Sequence, residues 1–405
     1  MIAQPHPRSI AAAALDRGSA FPPWVRAWLL LGLGWLIIGM AVLPAGPSYN
    51  PGKLYTYSVG LGLYLPALVL LARPREALAL WRQPLMPWVI ALLAWGCVSQ
   101  LWSHAQRPED QIARNLSIVV FLYAWMRAID GDARRVRLLL MGCAVVLAAV
   151  AVAAFVHYEL QPEDGRRLAG FGVMANANLA AAAMGVAALW LSAWSLRNPR
   201  YRLVQALAWI VLVVFVLLTF TRSAWAALFA GLLVFVLLGR SRPWLYGSIL
   251  AGLGAVCFIA YLPEITERGW SLRPEIMKQS WLLFRESPWL GLGQGSEFTI
   301  RAGNEVLTHA HNLFSQLAIQ LGLPGLVLWS GIWLGLAWRG WRHRHKPLGR
   351  LVLATWVFAM VMVQVDLPHL LDSPRPGWLV LWLPIALSFA LGRDEPVARS
   401  KAVRR

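Results

Sequence analysis

Charge is scarce in this chain. Only 14% of its 405 residues are Asp, Glu, Lys or Arg, against about 25% in a soluble domain. Acid is scarcer than base, with 19 Asp and Glu to 37 Lys and Arg. Cysteine is nearly missing. Cys97, Cys143 and Cys257 all fall inside apolar runs, at spacings that match no zinc or redox motif and argue against a disulfide framework. The first 23 residues contain no compact apolar stretch followed by a cleavage site. The first spanning helix is therefore expected to target the chain. A nucleophile-elbow motif is missing, which leaves a serine triad unsupported. Nucleic acid is not an expected partner either, because no known binding module is present.

What is abundant is apolar residue, 58% of the chain. It is gathered in runs of the length that crosses a bilayer, about 20 residues each. The fold class expected is all-α integral membrane, as one polytopic domain over 1–405 with membrane lipids around it. About twelve spans are predicted, near 25–43, 54–72, 87–103, 112–128, 136–157, 175–195, 203–220, 223–239, 245–262, 311–338, 350–365 and 376–392. Spans three and four carry Gln100 and Asn115, which leaves room for an in-plane or re-entrant segment.

Twelve spans put both termini on one side. The loops on that side then hold 25 of the 37 Lys and Arg residues. The positive-inside rule makes it the cytoplasm. The net charge of +18 is thus a topology signal. The longest outer loop is 263–310, between spans nine and ten. Within it, Arg273 to Ser287 reads as a surface helix, stopped by Pro288. Met277, Trp281 and Phe284 make an apolar stripe suited to the membrane surface. Gly291, Gly293 and Gly295 follow. They lack the preceding strand and the Gly-Lys-Ser/Thr ending of a phosphate loop, and read as a turn.

Some outer residues carry chemistry. Arg222 lies in a tight turn between two spans, where the positive-inside rule disfavours it. Arg166 and Arg167 lie in another outer loop, where they either bind a ligand or neutralise Glu163 and Asp164. Asn176 and Asn178 follow at a helix start and suit capping. Arg273 opens the surface helix, with Glu275 as a structural partner. His309 and His311 precede a long apolar helix. Helical stepping from His311 meets Ser315, Ala318, Gly322 and Gly325, which predicts one shared face. That face reads either as a close-packing surface with an interfacial histidine or as part of a site. Arginine's planar fork suits phosphate, and histidine beside it suits general-base work. A lipid pyrophosphate would present its charge at this boundary and its tail among the helices.

Metal chemistry fits poorly, and no cofactor is expected. His309 and His311 lack a nearby carboxylate or cysteine set. Asp130-Gly-Asp132 falls among cytoplasmic arginines and reads as a solvated loop. Asp366, His369 and Asp372 are the best remaining metal candidates, without a spacing signature.

His311-Asn312, nine residues, then Gly322-Leu-Pro-Gly325 resembles the signature of bacterial O-antigen ligases and their polymerase relatives. The surroundings agree in order: Arg167 ahead of Gly170-Phe171 and Asn178, Thr221-Arg222-Ser223 between spans, and Arg273 through Pro288 to Gly293. The resemblance covers residues 160–330 by motif. It implies a GT-C-like, metal-independent glycosyltransferase of the inner membrane. Such a ligase transfers a glycan from undecaprenyl pyrophosphate to the lipid A-core oligosaccharide at the periplasmic face. The roles implied are base for His311, pyrophosphate binding for Arg222, Arg273, Arg166 and Arg167, and support from Asn312, Gly322, Gly325 and His309. An O-antigen polymerase or a protein O-oligosaccharyltransferase would use the same donor. A glycan flippase is the non-enzymatic rival; its charges belong near the bilayer midplane.

Overall fold

The computed structural model describes residues 21–161, 167–239 and 272–392. The expected span 245–262, Arg166, Glu163, Asp164 and Cys257 lie outside the described residues. Helices α1 (Pro23–Val42), α2 (Lys53–Leu71), α5 (Pro108–Ile129), α6 (Ala133–Leu160), α8 (Pro199–Leu218) and α11 (Leu313–Arg342) are long and apolar enough to cross a membrane. Helices α3 (Pro74–Trp81) and α4 (Met86–Val98) meet at a sharp bend, and with the turn to Leu101 they make a seventh candidate, bent by 106°. Helices α7 (Ala177–Ser192), α9 (Arg222–Leu237), α12 (Pro347–Met362) and α13 (Pro376–Ser388) are apolar but shorter. The described chain is thus an all-α membrane protein with six to seven helices of spanning length.

Packing explains how short helices hold their places. In α7 the alanines Ala180 to Ala183 are fully buried, and small residues let backbones approach closely. A Cβ on Gly185 would meet the Phe358 ring at 2.8 Å, and one on Gly231 would meet Leu189 at 3.0 Å. Glycine therefore seats α7 and α9 against their neighbours.

The expected outer loops meet at one end of the bundle. Arg375, before α13, donates to Asn50, between α1 and α2. Ser103, after α4, donates to the Gln294 carbonyl at 2.8 Å. Asn178 and Ser223 both reach Asp366. At the opposite end Arg26 pairs with Asp130 at 3.0 Å. There Asp132 caps α6, accepting from the Arg134 N–H at 2.8 Å. The Asp130-Gly-Asp132 segment is a helix connection.

The outer loop adds helix α10 (Arg273–Glu286) and a short hairpin of β1 (Ile300–Ala302) and β2 (Glu305–Leu307). Met277 and Trp281 are exposed at 65% and 58%. Phe284, its ring 5.5 Å from that of Trp281, is partly buried against the small cluster that contains Ile276, Phe298 and Ile300. Glu275 departs from the expected pairing: its carboxylate accepts from the Gly303 N–H at 2.9 Å, pinning the hairpin, while Arg273 pairs with Asp366.

Candidate active site

His311 does not open the long helix; α11 begins two residues later. Asn312 is its N-cap, accepting from the Ser315 N–H at 3.0 Å, and its amide donates to the backbone and side-chain oxygens of Gln364 at 3.1 Å. Upstream, the Ala310 N–H donates to Gln316 at 3.0 Å. Downstream, the Leu313 N–H donates to the Val363 carbonyl at 2.9 Å. Held from both sides, His311 takes a left-handed conformation, φ 50°, uncommon for a residue other than glycine. Phe220, Leu272 and Leu367 share this conformation, and each adjoins a residue of the site described below. Such strain persists only where surrounding contacts impose it.

The single helical face expected from His311 to Gly325 does not form. Gly322 breaks α11 at φ 62°, ψ −165°, and Pro324 has no N–H to continue the ladder. The freed groups are taken up by the glycine-rich turn. Leu292 and Gly293 donate their N–H groups to the carbonyls of Ile319 and Gln320, both at 2.8 Å, and the Leu323 N–H donates to the Pro288 carbonyl at 2.8 Å. The Trp95 indole donates to the Leu321 carbonyl at 2.9 Å. Gly291, Gly293 and Gly295 have φ of 68°, 91° and 77°, so the turn expected there is present, and its partner is the break in α11. Its far side is held by Gln294, which exchanges amide hydrogen bonds with buried Asn115 at 2.9 and 3.2 Å. Gln100 donates to the Gln294 carbonyl at 3.0 Å. The polar residues in spans three and four thus anchor this loop.

On one flank of His311 lies a polar cluster drawn from five segments. Asp366 accepts from Asn178 at 3.0 Å and Ser223 at 2.9 Å, and Arg273 stands 3.9 Å away. Arg273 also donates to the Val365 carbonyl at 3.5 Å. Arg167 donates to the Thr219 carbonyl at 2.8 Å, to Thr221 at 2.5 Å and to Asn178 at 3.2 Å. Asn176 caps α7, whereas Asn178 joins this cluster. Arg222 is the first residue of α9, half-buried between Thr221 and Ser223. Burial raises the Asp366 carboxyl above the usual carboxylate range, against the pull of its hydrogen bonds, Arg273 and Arg167.

The other flank is histidine. The rings of His309 and His311 lie 4.1 Å apart by centroid, and His369 lies 5.5 Å beyond His309. Asp372 follows, paired with Arg114 at 3.2 Å and Arg375 at 3.1 Å. Burial lowers all three imidazoles: His311 with help from Arg273, His309 to about 4 with help from His311 and Arg375, and His369 to about 4 against the opposing pull of Asp372. All three are neutral at pH 7.

A stability consequence follows. Between pH 6.5 and 4 the unfolded chain binds more protons at His309 and His369 than the folded one, so stability falls as pH falls through that window. The thermal midpoint in detergent is expected to drop from pH 7 to 4.5, and to drop less in His369→Phe. An equal drop in both proteins would remove His369 from the effect.

Arg114 and Arg375 went unnoticed in the sequence as members of this site. Their signal was the one that marked Arg222, an arginine on the outer side. Arg375 is only 8% exposed. Asp366, His369 and Asp372 stood out as metal candidates; the structure gives the two aspartates to arginine partners. Among the described residues, no three His, Cys, Asp or Glu side chains are grouped as a metal ion would require.

Residues 206–330 match the family model described as O-Antigen ligase. That segment contains Arg222, Arg273, His309, His311, Asn312, Gly322 and Gly325. The chain is also similar to an O-antigen ligase of Pseudomonas aeruginosa, with 27% identity over 380 residues, covering 92% of this chain and 93% of the relative. The resemblance read from the ordered motifs is borne out.

Proposed function

We propose that the protein is an O-antigen ligase that moves a glycan from undecaprenyl pyrophosphate to the lipid A-core oligosaccharide. The observation that carries this reading is the placing of His311. It is half-buried, strained and uncharged, within the field of Arg273, at one end of an apolar bundle. The site lies at the periplasmic face of the bacterial inner membrane, with both termini cytoplasmic, a placement the arginine distribution supports. Twelve spans result if the bent pair, the four shorter helices and 245–262 all cross. The architecture is then GT-C-like.

In the reaction, His311 takes the proton of an acceptor hydroxyl. The hydroxyl oxygen bonds to the anomeric carbon of the glycan. The carbon–oxygen bond to phosphate breaks, and its electron pair leaves with the pyrophosphate. Attack from the opposite face inverts the anomeric centre. Arg222 and Arg273 hold the departing pyrophosphate and balance its growing charge, assisted by Arg166 or Arg167. Base and cations are both supplied by side chains, so the mechanism needs no metal.

The test is transfer by purified protein in chelator from an undecaprenyl-pyrophosphate glycan. Lipid A-core, a second lipid-linked glycan and a protein acceptor are offered in separate reactions. Product on lipid A-core, lost in folded Arg222→Ala protein, is the result expected. Product only on another acceptor would keep the chemistry and change the acceptor. No covalent product from folded protein and active donor would point to transport.

The pH profile gives a sharper check on the base. His311 works deprotonated, and burial and Arg273 lower its pKa. Activity is therefore present above that lowered value and is lost as pH falls through it. In Arg273→Gln the acid limb should move toward pH 6.5, the ordinary imidazole value, along with a lower rate. Initial rates from pH 5 to 8 measure this. A limb that stays in place would separate Arg273 from His311.

A further inference from the structure

We infer that His309 is a positioning residue: its ring packs against that of His311 at a tilt and, backed by His369, holds the imidazole of the base in place on its left-handed backbone. The inference rests on the proposed role of His311 and assigns His309 a part distinct from it. The residues His309-Ala310-His311 leave little slack. The Ala310 N–H is fixed to Gln316 at 3.0 Å, so the two rings project from a pinned backbone and meet at 4.1 Å with planes tilted by 47°. His369 closes the far side of His309 at 5.5 Å. It is itself placed by the loop that Asp372, Arg114 and Arg375 lock together. The Trp378 and Trp382 indoles also hold that loop, donating to the Asp372 and Leu370 carbonyls at 3.0 Å.

Three imidazoles in a row invite a different reading, a proton relay from His311 outward. The chemistry opposes it. A relay needs each carrier to accept a proton readily near working pH. His309 and His369 are both held near 4, by burial above all, with Arg375 acting on both and Arg114 on His369. They are poor carriers but good neutral packing. They exclude water from one flank of His311, while Arg273, with Asp366 behind it, faces the other. Without the His309 ring, the His311 imidazole would be free to swing to other rotamers on its pinned backbone, and would gain water.

The distinguishing variants are His309→Phe, which keeps a flat ring without nitrogens, and His309→Ala, which removes it. In glycan transfer, His309→Ala is expected to lose about tenfold to a hundredfold in kcat with little change in KM for donor, the scale of a misplaced catalytic group. His309→Phe should recover most of that loss. Independently of activity, NMR titration of carbon-13-labelled histidine follows the His311 pKa. It should rise toward 6.5 in His309→Ala and stay low in His309→Phe. Detergent-stable, monodisperse protein is required of each variant, and His369→Phe serves as a second probe with a smaller shift in the same direction. If His309→Phe is as inactive as His309→Ala, ring nitrogens are needed and positioning by packing is overturned. Wild-type rate and an unmoved His311 titration in His309→Ala would overturn it as well. If the wild-type protein transfers glycan to no acceptor, the proposed reaction fails, while the titration still decides whether His309 controls His311.

Discussion

Replacing His311 by Gln should lower glycan transfer by about a hundredfold to ten-thousandfold, the range of a lost general base, while donor binding changes little. In the proposed reaction the donor's charge is met by arginines, and those are placed by other segments. Arg273 is held by the Val365 carbonyl and Asp366, and Arg222 starts α9 beside hydroxyls bound to Arg167 and Asp366. Neither depends on the imidazole for its position. Backbone strain complicates any substitution here, because position 311 is left-handed. Asn, like His, visits that region several-fold more often than most residues, so His311→Asn is the informative companion. It meets the backbone requirement better than Gln and still lacks the base. Both variants should be folded, should bind donor with near-wild-type affinity, and should transfer poorly. A His311→Asn protein at wild-type rate would place the base elsewhere, and His309 would then be the residue to test. Asn312→Ala should behave differently. Losing the N-cap costs about 1 kcal/mol and also frees Gln364, so its effect should register in the thermal midpoint as well as the rate.

The sequence carried the helices and the order of the site more clearly than its internal contacts. Apolar runs and arginine alternation place the described helices, because burying a backbone in lipid leaves few other options. Arg222 stood out by defying the charge rule, Arg167 and Arg273 by their places in outer loops. What they touch did not. Arg273 had Glu275 two residues away, yet its ion pair is with Asp366, nearly a hundred residues on. Sequence spacing is silent on such pairs. The same blindness applied to Arg375, which reaches Asn50 across the chain. The hairpin was legible in principle, since Gly303-Asn304 between β1 and β2 is a turn signal. Its apolar content is too brief to compete with the helical pattern around it. The largest misreading was periodic. Counting in helical steps from His311 assumed a continuous helix through Gly322 and Pro324; Pro324 removes a ladder donor, and Gly322 takes up the break.

The second large effect should come from that break. Gly322→Ala is expected to abolish transfer and lower the thermal midpoint sharply, although the residue touches no substrate in the proposed reaction. At φ 62°, ψ −165° only glycine is comfortable. Strain of that kind alone costs about 1–3 kcal/mol. The added Cβ would also lie 2.3 Å from the Trp289 carbonyl oxygen, a backbone atom that cannot step aside alone. The loop must undock or the helix must straighten. Straightening does not repair the ladder, because Pro324 still lacks the donor that the Gln320 carbonyl would need. Undocking strips Leu292, Gly293 and Pro288 of their partners in α11 and loosens the amide exchange between Gln294 and Asn115. Either outcome re-aims the segment from Leu313 to Leu321, which carries the cap Asn312 and so the pose of His311. Gly142→Ala is the control: a Cβ there meets nothing within 4 Å, and within α6 it should stabilise by up to about 1 kcal/mol. Trp95→Phe is the graded case. It removes one hydrogen bond to the Leu321 carbonyl, worth about 1 kcal/mol, and should lower the midpoint slightly with most activity kept. Wild-type rate and midpoint in Gly322→Ala would mean that the base is positioned from its own loop, without help from the docked turn.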